Sequence, residues 1–280
     1  MVSFMRRKAY AKISLFLQVV GREDGKLHFR NILYPIDLFD MVYLDVSDEL
    51  RIESNKTYLP NDKRNTVFKA VKLMKKRYKI KENFHIRIVK NIPAQSGLGG
   101  GSADAAAVIQ MLNEKYDLQL SHEELISIGR EIDEDTPFCL FNRPAIVEKE
   151  GSELTFIDTE ISMYYLLIKP KYGISTKRFM KGFHIFSDDD EKFEQCYDAL
   201  LTNDYNRFVN TTHNDFQKSV GKRNRNINRL VKKMNDYGLE GVCMTGSGTA
   251  VYGFSQDLDL VLKIHKDLAL KYPFVKYGKI

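Results

Sequence analysis

The sequence predicts an α+β fold in two halves, on two observations. Strand-like alternation is grouped early with helical stripes after it, and beyond about residue 152 the pattern starts afresh. A doubly wound sheet would instead interleave strand and helix from end to end. At ~100–200 residues per domain, 280 residues suffice for one large domain or two smaller ones. The expected division is 1–152 and 153–280.

Lys8 to Val20 (KAYAKISLFLQVV) is rich in β-branched and apolar residues and predicts one or two strands. Val42, Leu44 and Val46 alternate with polar positions, and Leu50 and Ile52 do so after Ser47-Asp48, which predicts a β-hairpin. Asn65 to Tyr78 carries Val67, Ala70, Val71 and Met74 on one helical stripe. Phe84, Ile86 and Ile88 alternate along a strand that runs into PAQSGLGGGSADAAA, Pro93 to Ala107. Ala103 to Lys115 then reads as a buried helix with Ser102 at its N-cap. Ser121 and Glu124 form a capping box that opens a helix through Ile132. DEDTPFCL, Asp133 to Leu140, reads as a turn ended by Pro137. In the second half, Tyr164 to Ile168 is a buried strand and Ser187 to Lys192 an exposed acidic loop. Helical stretches lead to Gly238, followed by the strand–loop–strand GVCMTGSGTAVYGF and a last helix from about Asp257 to Tyr272.

A net charge of +6 attracts anions in general. The most concentrated basic stretch, Gly221 to Met234, sets Ile227, Leu230, Val231 and Met234 at helical spacing with Arg and Lys opposite. A solvated helix face explains it better than a nucleic-acid surface, because no aromatics interleave the charges. The three cysteines, Cys139, Cys196 and Cys243, are far apart and in no CxxC pair, which argues for a reducing compartment. No apolar run approaches the ~20 residues of a membrane helix, and the start, MVSFMRRKAYAK, lacks the apolar region of a signal peptide. The expectation is a cytoplasmic protein with neither membrane nor nucleic-acid partner.

Four glycines within five residues (Gly97, Gly99, Gly100, Gly101) are costly to order. A Walker A loop requires a lysine after the last glycine, and none follows here. A dinucleotide fingerprint fits poorly: the spacing is Gly97-x-Gly99-x-x-Ser102 and Pro93 separates it from the strand. What remains is a glycine loop opening a helix, whose unpaired N–H groups and dipole of roughly half a charge favour an anion. Lacking Cβ atoms, it lets a polyphosphate come close to the backbone.

The same stretch resembles the central P-x-x-x-G-L-G-S/G-S/G-S motif of the galactokinase, homoserine kinase, mevalonate kinase and phosphomevalonate kinase (GHMP) superfamily. AKISLFLQVVGREDG (Ala11 to Gly25) is similar to the AKINLFL…GRRxDGYH opening of its 4-diphosphocytidyl-2-C-methyl-erythritol kinases. MTGSGTAVYG (Met244 to Gly253) resembles their MSGSGPTVF loop, DEDTPFCL their GADVPFFL, and HNDF (His213 to Phe216) their NDLE-type segment. The similarity spans about Lys8 to Gly253. It implies a two-domain GHMP kinase fold: an N-terminal ATP-binding domain of ribosomal-protein type, a C-terminal α/β-plait domain, and an active site in the cleft between them. It also implies a catalytic pair, Lys12 and Asp135, with Asp135 taking the hydroxyl proton and Lys12 offsetting charge on the transferred group. Pro93, Ala94, Gln95, Ser96, Gly97, Leu98, Gly99, Gly100, Gly101, Ser102 and Ala103 would hold ATP, and Ser14, His28, Gly246, Ser247 and Gly248 would line the substrate. Mg²⁺ is implied with ATP; apart from the Ser102 hydroxyl, no protein ligand for it is indicated. The implied reaction is phosphorylation of the tertiary 2-hydroxyl of 4-diphosphocytidyl-2-C-methyl-D-erythritol, in isoprenoid precursor synthesis, by a monomer or weak homodimer.

Departures from that pattern concern the acceptor. The asparagine two positions after the lysine is Ser14, DGYH becomes DGKLH (Asp24 to His28), and the base-stacking tyrosine becomes Leu27. Its partner ring aligns near Phe179 or Met180. Asp133 and Glu134 replace a glycine and an alanine, which predicts a more acidic entrance, and Thr249 replaces a proline. Two alternatives stand beside the first reading: a GHMP kinase for another small alcohol such as mevalonate or homoserine, and a catalytically silent nucleotide-binding relative.

Overall fold

The computed structural model describes residues 4–174, 179, 183–184, 186–187 and 190–280. They fall into two compact units, one built from residues 4–11, 38–92 and 99–142, the other from 12–37, 93–98 and 143–280. Two long strands, β1 (Met5–Glu23) and β2 (Lys26–Ser47), contribute residues to both.

In the first unit the later part of β2 pairs antiparallel with β4 (Asn83–Val89), Leu44 opposite Ile86. The short β3 (Arg51–Ser54) pairs parallel with the other edge of β4, Ile52 opposite Ile86. The expected hairpin of β2 with β3 is therefore absent. Alternation in two consecutive segments shows that each has a buried face, not which neighbour it takes. Phe84, Ile86 and Ile88 are almost wholly buried, which makes β4 the strand between them.

Helix α1 (Thr66–Tyr78) follows its predicted stripe, and the Asn65 side chain caps it by accepting from the Val67 N–H at 2.9 Å. Helix α2 (Gly100–Lys115) packs against α1 and against α4 (Thr136–Phe141). The alanines at 103, 105, 106 and 107 are at most 3% exposed, so their lack of bulk is used for close packing. Helix α3 (His122–Ile132) has the predicted capping box of Ser121 and Glu124. Pro137 does not end a turn; it sits in the first turn of α4, where its missing N–H costs nothing.

The second unit holds a four-stranded antiparallel sheet in the order β11 (Phe274–Lys279), β7 (Tyr164–Lys169), β10 (Val251–Ser255), β9 (Glu240–Met244). The first part of β2 pairs with β5 (Ala145–Glu148), which pairs with β6 (Glu153–Phe156), and β1 meets β8 (His213–Asn214) in parallel at Phe16 and His213. Its helices are α5 (Asp190–Leu201), α6 (Tyr205–Val209), α7 (Asp215–Arg223), α8 (Arg225–Asp236) and α9 (Leu258–Leu268). Leu166, Ile168, Phe216, Ile227, Met234, Val251 and Ile264 share its core.

Two expectations change here. Asp190 to Lys192 form the first turn of α5 rather than a loop, with carboxylates favoured by the helix dipole; Asp188 and Asp189 lie outside the described residues. The basic stretch is interrupted at Asn224, which closes α7 and caps α8 through the Asn226 N–H at 3.1 Å. Ile227, Leu230 and Met234 are buried as its stripe required. Among the described residues, no helix is long and apolar enough to cross a membrane.

Candidate active site

In the first unit the site begins where α2 begins. Its N-cap is Gly99, in the left-handed region at φ 69°, and no side chain caps the first turn. The opening N–H groups of α2 therefore lack the side-chain acceptor that most helices supply there. Ser102 is not the cap: glycine at φ > 0 starts the helix three residues sooner than a serine N-cap would. Ser102 stands in the first turn instead and donates its hydroxyl to Asp133 Oδ2 at 2.9 Å.

Beneath this turn lies a buried ionic cluster. Lys90 Nζ donates to Asp104 Oδ2 at 2.6 Å, to Asp40 Oδ2 and, at 3.3 Å, to the Gly100 carbonyl. The side chains of Lys90, Asp40 and Asp104 are 5%, 0% and 2% exposed. Asp40 Oδ1 accepts from the Asn91 and Ile92 N–H groups at 2.6 and 2.8 Å, which fixes the chain just ahead of Pro93. Burial pushes the Asp104 carboxyl up to about 8, with Lys90 opposing the rise and Asp40 adding to it. Two carboxylates around one ammonium reach charge balance when one of them holds a proton, and the upward shift of Asp104 favours that state. Asp104 is thus an element of the support.

The glycines fit this support closely. A Cβ on Gly100 would lie 2.9 Å from Ile92 Cγ2 and 3.3 Å from Lys90 Nζ. One on Gly101 would lie 3.3 Å from Thr66 Oγ1, a hydroxyl that donates to the Gly101 carbonyl at 2.7 Å.

Asp135 is the residue just before α4. Its N–H donates to Asp133 Oδ1 at 3.2 Å, and so do the Thr136 N–H (2.9 Å) and hydroxyl (2.8 Å). Burial, then the charge of Asp135, raise the Asp133 carboxyl from its ordinary value, while its hydrogen bonds pull it down. The expected acidic entrance is corrected accordingly: Asp133 turns its carboxylate to protein donors, and Glu134 is the exposed member of the pair. Gly129 admits the turn, since a Cβ there would lie 2.9 Å from the Pro137 nitrogen.

In the second unit, Lys12 lies in β1, 3% exposed, with its N–H on the Leu98 carbonyl at 3.1 Å. The Ser14 N–H donates to Thr245 Oγ1 at 2.9 Å, and Tyr252 donates to the Ser14 carbonyl at 2.8 Å. Ser14 is fully buried, and its hydroxyl takes no hydrogen bond. The Gln95 and Ser96 carbonyls accept from the Thr249 and Ala250 N–H groups at 3.3 and 3.0 Å, so Gln95–Gly97 runs against the loop between β9 and β10. A Cβ on Gly97 would lie 2.0 Å from the Thr245 carbonyl oxygen, and one on Gly246 2.9 Å from the Gly97 oxygen. Gly248 is similarly confined, its virtual Cβ 2.6 Å from Met244 Sδ; Ser247 is 7% exposed.

Ahead of this contact, Ser96 Oγ donates to the Pro93 carbonyl at 2.6 Å while Ala94 and Gln95 are exposed. The buried side chains of Leu98 and Ala103 leave only their backbones for a ligand.

Asn214 is a residue that sequence reasoning missed. Its Nδ2 donates to the Met244 and Gly246 carbonyls at 2.6 and 2.9 Å, and its Oδ1 caps α7 at the Phe216 N–H. The HNDF resemblance marked the segment, and the preference of Asn for N-caps was the available signal.

The base-recognition residues come out differently from the family pattern. His28 lies in β2, with Nε2 3.8 Å from Glu23 Oε2. Leu27 is 3% exposed in the core, and Phe179, at 1%, packs edge-on against Phe216. Met180 lies outside the described residues.

Residues 65–143 match the GHMP kinases N terminal domain, and residues 196–273 the GHMP kinases C terminal domain. A 4-diphosphocytidyl-2-C-methyl-D-erythritol kinase of Clostridium tetani is 35% identical, over 98% of this chain and 99% of its own. One of Clostridium beijerinckii is 34% identical, over 96% and 97%. The chain belongs to the GHMP kinase family. A crystal structure of 4-(cytidine 5'-diphospho)-2C-methyl-D-erythritol kinase, 23% identical, superimposes with a TM-score of 0.76 over 98% of both chains, which shows the fold. This GHMP kinase thus has the two-domain fold of its family and is a phosphotransferase with an alcohol acceptor.

Proposed function

We propose that this GHMP kinase transfers the γ-phosphoryl group of ATP to the 2-hydroxyl of 4-diphosphocytidyl-2-C-methyl-D-erythritol. The observation that carries this reading is the full-length similarity to kinases of that name at 32–35% identity. The organisation into family domains 1–152 and 153–280, a cytoplasmic location and a monomeric or weakly dimeric state belong to the same proposal.

Phosphoryl transfer asks chiefly for positioning and charge neutralisation. The N–H groups from Gly97 to Ser102 hold the phosphates, helped by the uncapped start of α2. Asp135 accepts the proton of the attacking hydroxyl at ~2.6–3.2 Å, and Lys12 stabilises charge growing on the transferred group. Gly246, Ser247 and Gly248, with Ser14 and His28, line the acceptor side.

Mg²⁺ fits the chemistry of the first turn of α2. The Ser102 hydroxyl commits its proton to Asp133, which leaves oxygen lone pairs for a hard cation. Among the described residues no three His, Cys, Asp or Glu side chains gather into a metal cage. That suits an ion held mainly by phosphates and water, and when bound it neutralises phosphate charge.

A second reading keeps the kinase and changes the alcohol. Leu27 and Phe179 favour it, because both are spent in the core where base-stacking rings were expected. The test is ADP release with a panel of acceptors. Turnover with the cytidine substrate should exceed that with mevalonate or homoserine, and the reverse order would move the enzyme to the second reading.

A further inference from the structure

Asp133 joins three helices through one carboxylate. As the last residue of the α3 turn it stands in extended conformation, and its two oxygens do different work. Oδ1 takes the Asp135 N–H, the Thr136 N–H and the Thr136 hydroxyl, an Asx-type turn that leads into α4. Oδ2 takes the hydroxyl of Ser102, 31 residues away in sequence and in the first turn of α2. The turn alone requires a single oxygen, which Ser, Thr or Asn would supply without placing a charge in a site that disfavours it. What the carboxylate adds is the second acceptor.

We propose that Asp133 is a positioning residue, fixing the phosphate-binding turn at Ser102 and the main chain of Asp135 to one rigid group so that they keep a constant spacing. The inference rests on the proposed role of Asp135 as base and of α2 as phosphate site. Its force comes from the steepness of catalysis with geometry, since a displacement of ~1 Å can lower a rate ~100-fold. Where the family pattern has glycine, this chain uses a side chain to bind the two turns together.

The experiment compares kcat, the KM for ATP and Tm for Asp133→Asn and Asp133→Ser with wild type. Asparagine keeps the turn oxygen and turns an N–H toward Ser102, whose hydroxyl then accepts. It should preserve kcat to within a fewfold. Serine keeps a turn acceptor but reaches nothing at Ser102, so Tm should stay near wild type while kcat falls ~10–100-fold. If Asp133→Ser keeps wild-type kcat and KM, whatever its Tm, the carboxylate is only a turn acceptor and the proposal is overturned. Asp135→Asn distinguishes the other failure. Wild-type turnover in that variant would remove Asp135 as base, and the inference with it, irrespective of position 133.

Discussion

The two ends of the glycine segment are held by opposite means. From Gly99 onward, in the first unit, the support is side chains: Lys90, Asp40 and Asp104 under the turn, Asp133 and Thr66 at its flanks. From Gln95 to Gly97, in the second unit, main chain lies directly on main chain, and Asn214 secures the opposing loop. The first arrangement depends on charge and tolerates small shifts of long side chains. In the second, the atoms that a Cβ on Gly97 would meet belong to the backbone. Similar glycines are therefore required for different reasons, and substitutions should separate them.

The largest effects test the proposed chemistry. Asp135→Asn and Lys12→Met should each lower kcat ~10²–10⁴-fold with ATP affinity nearly unchanged, read by steady-state kinetics and nucleotide titration. Next in size is Gly97→Ala, which meets a carbonyl oxygen and holds a positive φ of 81°. A loss of ~3 kcal/mol or more is expected in denaturant unfolding, equal at all pH values. Gly100→Ala presses on Ile92 and the Lys90 ammonium, which can yield, so ~1–3 kcal/mol and a raised KM for ATP are expected. Equal costs for these two glycines would break the contrast.

Asp104→Asn, whose effect is smallest at acid pH, is the sharpest test of the charged region. With the Asp104 carboxyl near 8 in the folded protein and ~3.9 unfolded, the native state holds an extra proton between those values. Stability is then fully present below about pH 4 and declines as pH rises toward 8, by up to ~1.4 kcal/mol per pH unit. Asparagine mimics the protonated acid, so the variant should match wild type near pH 4, show a flatter profile, and gain on wild type progressively between pH 4 and 8. Parallel profiles would place the proton elsewhere.

Signals confined to one turn or one strand were legible in the sequence: the α1 stripe, the capping box of α3, the alternation of β4, and a glycine loop opening a helix. Features that depend on distant partners were not. Nothing local shows that β4 separates β2 from β3. In β2, Pro35 argues against a strand, yet it falls between the stretch paired with β5 and the stretch paired with β4, where no ladder to either is interrupted. Ser102 is a good cap by residue type, and the left-handed glycine ahead of it took that position. The Asp40–Lys90–Asp104 cluster spans 50 and 14 residues and carries no periodicity. Lys12 and Asp135 came from motif resemblance, since on residue chemistry alone each is one charge among many.

Gly97 acquires its neighbour, Thr245, only from a segment 148 positions further along, and Ser14 waits for the same threonine across 231. A nascent chain extending to residue 240 contains every glycine of the loop but no wall to press it against. Completion of this shape is thus a late event in synthesis.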